Sequence, residues 1–137
     1  MQNNNPRQEQ SRRQSREAAF KLAYQLTVNG TVSDIQPYDG EQSYTSHETE
    51  FSQIIFKAMI ARLGEIDDLI KNAIKDFEFE RLFKLDLAIL RLAVAEFLLN
   101  ISPSIIIIDS AVDMAKKYST EKSTSFINGV LASITQV

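Results

Sequence analysis

The chain has no cysteine and no tryptophan, one histidine, and only four glycines and three prolines among its 137 residues. The absence of cysteine excludes disulfides and thiolate metal sites. The scarcity of glycine and proline argues against a fold built from many short strands and turns, and favours long helices. A lone histidine, His47, leaves little for general-base chemistry. It lies beside Glu48 at an expected helix start and reads as a solvated first-turn residue. There is no phosphate-cradling glycine loop, no dinucleotide motif and no nucleophile elbow. The adjacent or near-adjacent carboxylates Asp67–Asp68 and Glu78–Glu80 read as solvated faces, since neighbours on a helix point apart and no further metal ligands accompany them. No enzyme, no cofactor and no metal are expected.

Long uninterrupted apolar runs are missing too. The most apolar window, "LDLAILRLAVAEFLLNI" at 85–101, carries Asp86, Arg91 and Glu96. It reads as a buried helix and not as a membrane span. The opening "MQNNNPRQEQS" has no apolar core of a targeting segment, so a cytoplasmic protein is expected. What is present is 44% hydrophobic and 24% charged residues, the balance of a single globular domain with a real core. The net charge is −3, but it is unevenly spread. Arg7, Arg12, Arg13, Arg16 and Lys21 outnumber Glu9 and Glu17 in residues 1–30, leaving the remainder acidic. A basic arm and a separate acidic surface follow.

Residues 1–10 are polar and expected to be disordered, with residues 11–137 forming one helical domain. A first helix should run from about Ser11 to Asn29, closed by Gly30. The stretch 31–46 reads as a loop, and Thr45 with Glu48 as a capping box opening a second helix. Phe51, Ile54, Ile55, Ala58 and Met59 give that helix its stripe, and Gly64 interrupts it. Ile66, Leu69, Ile70, Ala73 and Ile74 form a third helix. "FEFERLF" at 77–83 alternates aromatic and charged residues without a partner strand, and reads as a connector or short helix. Residues 85–99 are apolar at nearly every helical angle, which marks the central core helix. Pro103 opens a further helix ending in Lys116 and Lys117, and Ser119 or Thr120 caps a last one. The architecture expected is therefore all-α.

Asn128-Gly129, inside an apolar run, is the strongest short-range hairpin signal. "STEKSTS" before it supplies no alternating strand, whereas Ile127, Val130, Leu131 and Ile134 share one helical face. The pair therefore belongs inside a helix. Lys122, Ser125, Gly129, Ala132 and Ser133 fall on the opposite, small side, open either to another packed helix or to a ligand. In the first helix Ala19, Leu22, Ala23 and Leu26 form the main core face. With Arg13 set at about 0°, Arg16, Phe20 and Tyr24 lie within roughly 60° of it as a second stripe. Arginines pair with phosphates and aromatics stack on unpaired bases, so this stripe is a candidate RNA surface. The alternative for Phe20 and Tyr24 is a second core contact.

"SRRQSREAAFKLAYQL", "LFKLDLAILRLAVAEFLL" and "PSIIIIDSAVDMAKKYSTEKSTSFINGVL" together resemble the transcription antitermination factor NusB family, over most of residues 11–134. The resemblance implies six to seven helices in two small three-helix subdomains. It implies a non-enzymatic adaptor that binds single-stranded boxA RNA with NusE, the small-subunit ribosomal protein. It also implies entry into the antitermination complex on RNA polymerase during ribosomal RNA synthesis. Arg12, Arg13, Arg16, Tyr24, Lys122, Ser123 and Phe126 match its RNA-facing positions, and Glu80 and Asp86 its NusE-facing acidic ones. The chain departs from the family pattern at Asp109-Ser110, where Asn-Glu is usual, at Lys122, where an acid is common, and at Phe77, where tryptophan is frequent. No appended methyltransferase domain is expected. The competing functional class is a protein–protein helical module or homo-oligomer using the small Gly129 side.

Overall fold

The computed structural model describes residues 6–30 and 46–135, with side chains from 12–30 and 50–135. Among them are six α-helices and no strand: α1 (Pro6–Asn29), α2 (Ser46–Ala61), α3 (Leu63–Ala73), α4 (Lys84–Leu99), α5 (Ser104–Tyr118) and α6 (Glu121–Thr135). A single 3₁₀ turn, Phe79–Arg81, lies between α3 and α4. The all-α expectation holds. The loop 31–45, Thr45 of the expected capping box and the side chains of His47 and Glu48 lie outside the described residues.

α4 is the hub. It packs against each of the other five helices. Ten of its residues, from Asp86 to Glu96 with Arg91 excepted, are buried. The reason is compositional: a helix with apolar side chains all round must be surrounded to leave water. Burying Ile89, Leu90 or Val94 stabilises the fold by roughly 1.5–3 kcal/mol each. α1, α2 and α4 pack on one another, as do α4, α5 and α6, so two three-helix groups share α4. One continuous apolar cluster runs through both.

Local signals set most boundaries. Gly30 takes φ +80° and its N–H donates to the Leu26 carbonyl at 2.7 Å, closing α1 as expected. Asn100 closes α4 in the left-handed region, at φ 56°. Thr120 Oγ1 accepts the Ser123 N–H at 3.2 Å at the start of α6. Two boundaries differ from expectation. α1 begins at Pro6 and not Ser11. The α2–α3 break falls at Arg62 and not Gly64, with the Arg62 side chain held by Glu65 at 2.8 Å.

Candidate nucleic-acid interface

α1 is covered on two sides. α2 and α4 both pack along it, so the stripe that looked like a surface turns inward. Arg16 is only 2% exposed. Its guanidinium donates from Nε to Glu96 Oε1 at 2.9 Å and from Nη2 to Oε2 at 2.8 Å. Nη1 donates to Ser110 Oγ at 3.3 Å, so a serine of α5 supplies a further acceptor to the same arginine. Arg16, expected to meet RNA, is thus a buried tie between α1, α4 and α5. A guanidinium this deep satisfies a carboxylate because an unpaired buried charge is far costlier.

The other first-helix residues divide. Phe20 is buried against Tyr118, with ring centroids 5.0 Å apart, and Tyr24 stacks on Phe20 at 6.3 Å. The second-core-contact alternative is the one realised for Phe20, while Tyr24 stays half-exposed. Arg12 lies over the Phe51 ring at 4.9 Å, and its buried Nε has no hydrogen-bond acceptor. Arg13 is the open one. Its side chain is 62% exposed, with Asp113 3.6 Å away. It borders a shallow polar groove of about 430 Å³ shared with Lys116, Ser125 and Asn128.

That groove lies next to the small outward side of α6. Asn128 and Gly129 are helical and exposed. A Cβ at Gly129 would meet no atom within 4 Å, so none of the described helices packs there. Among the described residues, the packed-helix reading is not the one realised at Gly129.

A second groove, about 730 Å³, opens at the start of α6 and brings together residues from three elements. Phe77, Arg81 and Phe83 come from the α3–α4 connector, Asp86 from the first turn of α4, and Lys122, Ser123 and Phe126 from α6. Phe126 is half-buried and meets Phe77 edge to face, with centroids 5.4 Å apart at 76°. Phe77 and Phe83 are 61% and 63% exposed, unusual for rings of this size. Lys122 is exposed at the rim, as is Arg81, which pairs with Glu78 at 3.2 Å. The groove therefore combines open ring faces with two cations.

Two expected site residues are its floor and not its surface. Asp86 is 4% exposed, and Ser123 is 3% exposed. Asp86 accepts from Ser119 Oγ at 2.7 Å on one carboxylate oxygen and from Ser123 Oγ at 2.9 Å on the other. Ser123, expected to meet RNA, and Asp86, expected to meet a protein partner, therefore both lie inside the fold. Glu80 stays exposed on the 3₁₀ turn. Asp67, expected as a solvated carboxylate, is instead held bidentately by Arg91 at 2.9 Å through both nitrogens. Phe77, Arg81 and Phe83 were not among the expected site residues. Their signal is three phenylalanines in seven residues of a connector that buries none of them fully. Among the described residues there is no acidic or histidine cluster able to hold a metal, and no helix long and apolar enough to cross a membrane.

Comparison with known proteins gives one consistent result. Residues 13–136 match the model of the NusB family. The transcription antitermination protein NusB of Finegoldia magna is 39% identical, over 90% of this chain and 93% of that one. Its counterpart in Clostridium botulinum (strain Loch Maree) is 38% identical, over 88% and 96%. Among solved structures, T. maritima NusB superposes with a TM-score of 0.80 at 30% identity, covering 91% of this chain and 90% of that one. A crystal structure of the antitermination factors NusB and NusE in complex with double-stranded RNA gives 0.76 at 26% identity, covering 93% and 97%.

Proposed function

The chain belongs to the NusB family of transcription antitermination proteins, and from that premise we propose that it is a cytoplasmic adaptor that binds boxA-type single-stranded RNA together with NusE. Through that complex it joins the antitermination machinery on RNA polymerase and promotes ribosomal RNA transcription. It performs no catalysis and uses no cofactor.

The observation that carries this reading is the groove at the start of α6. Unpaired bases present flat faces that stack on aromatic rings, at roughly 1–3 kcal/mol per base. Phe77, Phe83 and Phe126 supply such rings, and Lys122 and Arg81 stand at the rim where phosphates would pass. Arg12, Arg13 and Tyr24 extend the RNA surface along α1. Arg16 and Ser123 act from inside, holding those surfaces in place. Glu80 is the exposed acid that remains for NusE.

The deciding experiment is a gel shift with a boxA-like and a scrambled RNA, each with and without NusE. Binding to boxA should be weak alone and strengthen with NusE. Arg13→Ala and Lys122→Ala should each flatten the salt dependence, by about 0.7 in log–log slope for every phosphate that is no longer neutralised. Equal binding of both RNAs in the presence of NusE overturns the proposal. The exposed rings also suit a second copy of the chain, and sedimentation at several concentrations separates the two. A stable dimer indifferent to RNA would favour that alternative.

A further inference from the structure

Three hydroxyls and a carboxylate meet at the α4–α6 junction. Ser119 and Ser123 each reach Asp86, at 2.7 and 2.9 Å. The Ser119 and Ser123 oxygens are 2.9 Å apart, and Thr120 Oγ1 is 3.0 Å from Ser123 Oγ. The three hydroxyls own three protons, and an ionised carboxylate only accepts. Ser119 and Ser123 spend theirs on Asp86, and Thr120 spends its proton on Ser123. Both carboxylate oxygens are engaged and the cluster closes on itself. Asp86 also sits in the first turn of α4 while its partners open α6, so the N-terminal ends of two helices stabilise its charge.

Lys122 directly precedes Ser123, and Phe126 follows it by one helical turn. Both line the groove whose floor is this cluster. The clamp ties the first turn of α6 to the first turn of α4. We propose that Asp86 is a positioning residue for RNA binding: it locks the start of α6 onto α4 and so aims Lys122 and Phe126 at the rings of Phe77 and Phe83, without touching RNA itself. This rests on the reading that the groove receives RNA.

The carboxamide of Asp86→Asn can rebuild the cluster. Its N–H donates to Ser119, Ser119 donates to Ser123, and Ser123 donates to the amide oxygen. Asp86→Ala cannot. A positioning role therefore predicts rescue by asparagine, whereas a direct charge contact with a cationic partner predicts none. The test is fluorescence anisotropy of the full chain with a labelled boxA-type single-stranded RNA at fixed salt, with thermal melts beside it. Asp86→Ala should weaken RNA binding about tenfold, as expected for losing hydrogen bonds to a charged group. Asp86→Asn should stay within about threefold of the parent. In a Lys122→Ala, Phe126→Ala background, Asp86→Ala should cost nothing further, since nothing is left to aim.

Unchanged affinity in Asp86→Ala, equal loss in Asp86→Asn, or an additive loss in the double background each overturns the proposal. If Asp86→Ala fails to fold, Ser119→Ala with Ser123→Ala decides in its place and should show the same non-additivity. Parent and Phe126→Ala proteins that bind boxA RNA equally would sink the RNA reading of the groove itself. An intact Phe126 effect with a silent Asp86 sinks only this inference.

Discussion

Arg16→Ala should destabilise the fold far more than it perturbs any surface. The guanidinium holds Glu96 through hydrogen bonds of 2.8–3.2 Å and reaches Ser110 at 3.3 Å. Both charged partners are 2% exposed. Truncation strips those donors from a carboxylate that water cannot reach, and breaking such a pair costs about 3–5 kcal/mol. That is a large share of the roughly 5–15 kcal/mol that holds a domain together. For a chain of this size the melting temperature should fall by roughly 10–20 °C. Replacing both partners with apolar residues, Arg16→Met with Glu96→Leu, should recover most of the loss, because neither charge then has to be desolvated. Urea and thermal melts followed by circular dichroism read the effect directly. If Arg16→Ala melted like the parent while boxA affinity dropped, Arg16 would be a phosphate contact and the burial argument would fail.

Two further outcomes follow from the same geometry. Gly129→Ala should stabilise the protein by up to about 1 kcal/mol, since the position is helical and a Cβ there meets nothing. A lower unfolding midpoint refutes this, and weaker RNA binding without destabilisation would place RNA on that face. Stability should also decline in alkali. The Glu17 carboxylate, hydrogen-bonded at 2.8 Å, raises the Lys117 pKa above its usual 10.5, and burial raises the Tyr118 hydroxyl above 10.0. Both groups bind protons more tightly when folded, so their contribution is complete below pH 10 and is lost as pH rises through the shifted values. Urea midpoints measured from neutral to alkaline pH should bend downward there, and less so in Lys117→Met, Tyr118→Phe. An identical bend in that variant refutes the assignment.

Helical periodicity is a local property, and what depended on it was readable from the chain. The all-round apolar pattern of 85–99 marks α4 as the hub, and the 100° spacing of Ile127, Val130 and Leu131 puts Asn128-Gly129 inside a helix in spite of its hairpin chemistry. Periodicity groups residues onto a face but says nothing of what lies opposite. Arg13, Arg16, Phe20 and Tyr24 do share a side of α1. Only the packing of α2 and α4 along α1 decides that Arg16 and Phe20 are interior while Arg13 is open.

The groove marks the same boundary. Phe77, Arg81 and Phe83 sit in a connector with no period to read, and Lys122 and Phe126 lie some forty residues further on. The Asp86 clamp joins residues 33 and 37 positions apart. By itself the sequence determined an all-α chain, the order of its helices, the family, and which residues are basic or aromatic. Which of those residues face solvent, and which pairs of charges and hydroxyls meet, was decided by tertiary structure. The physical reason is that burial and hydrogen-bond pairing are properties of two elements at once, whereas a helical repeat belongs to one.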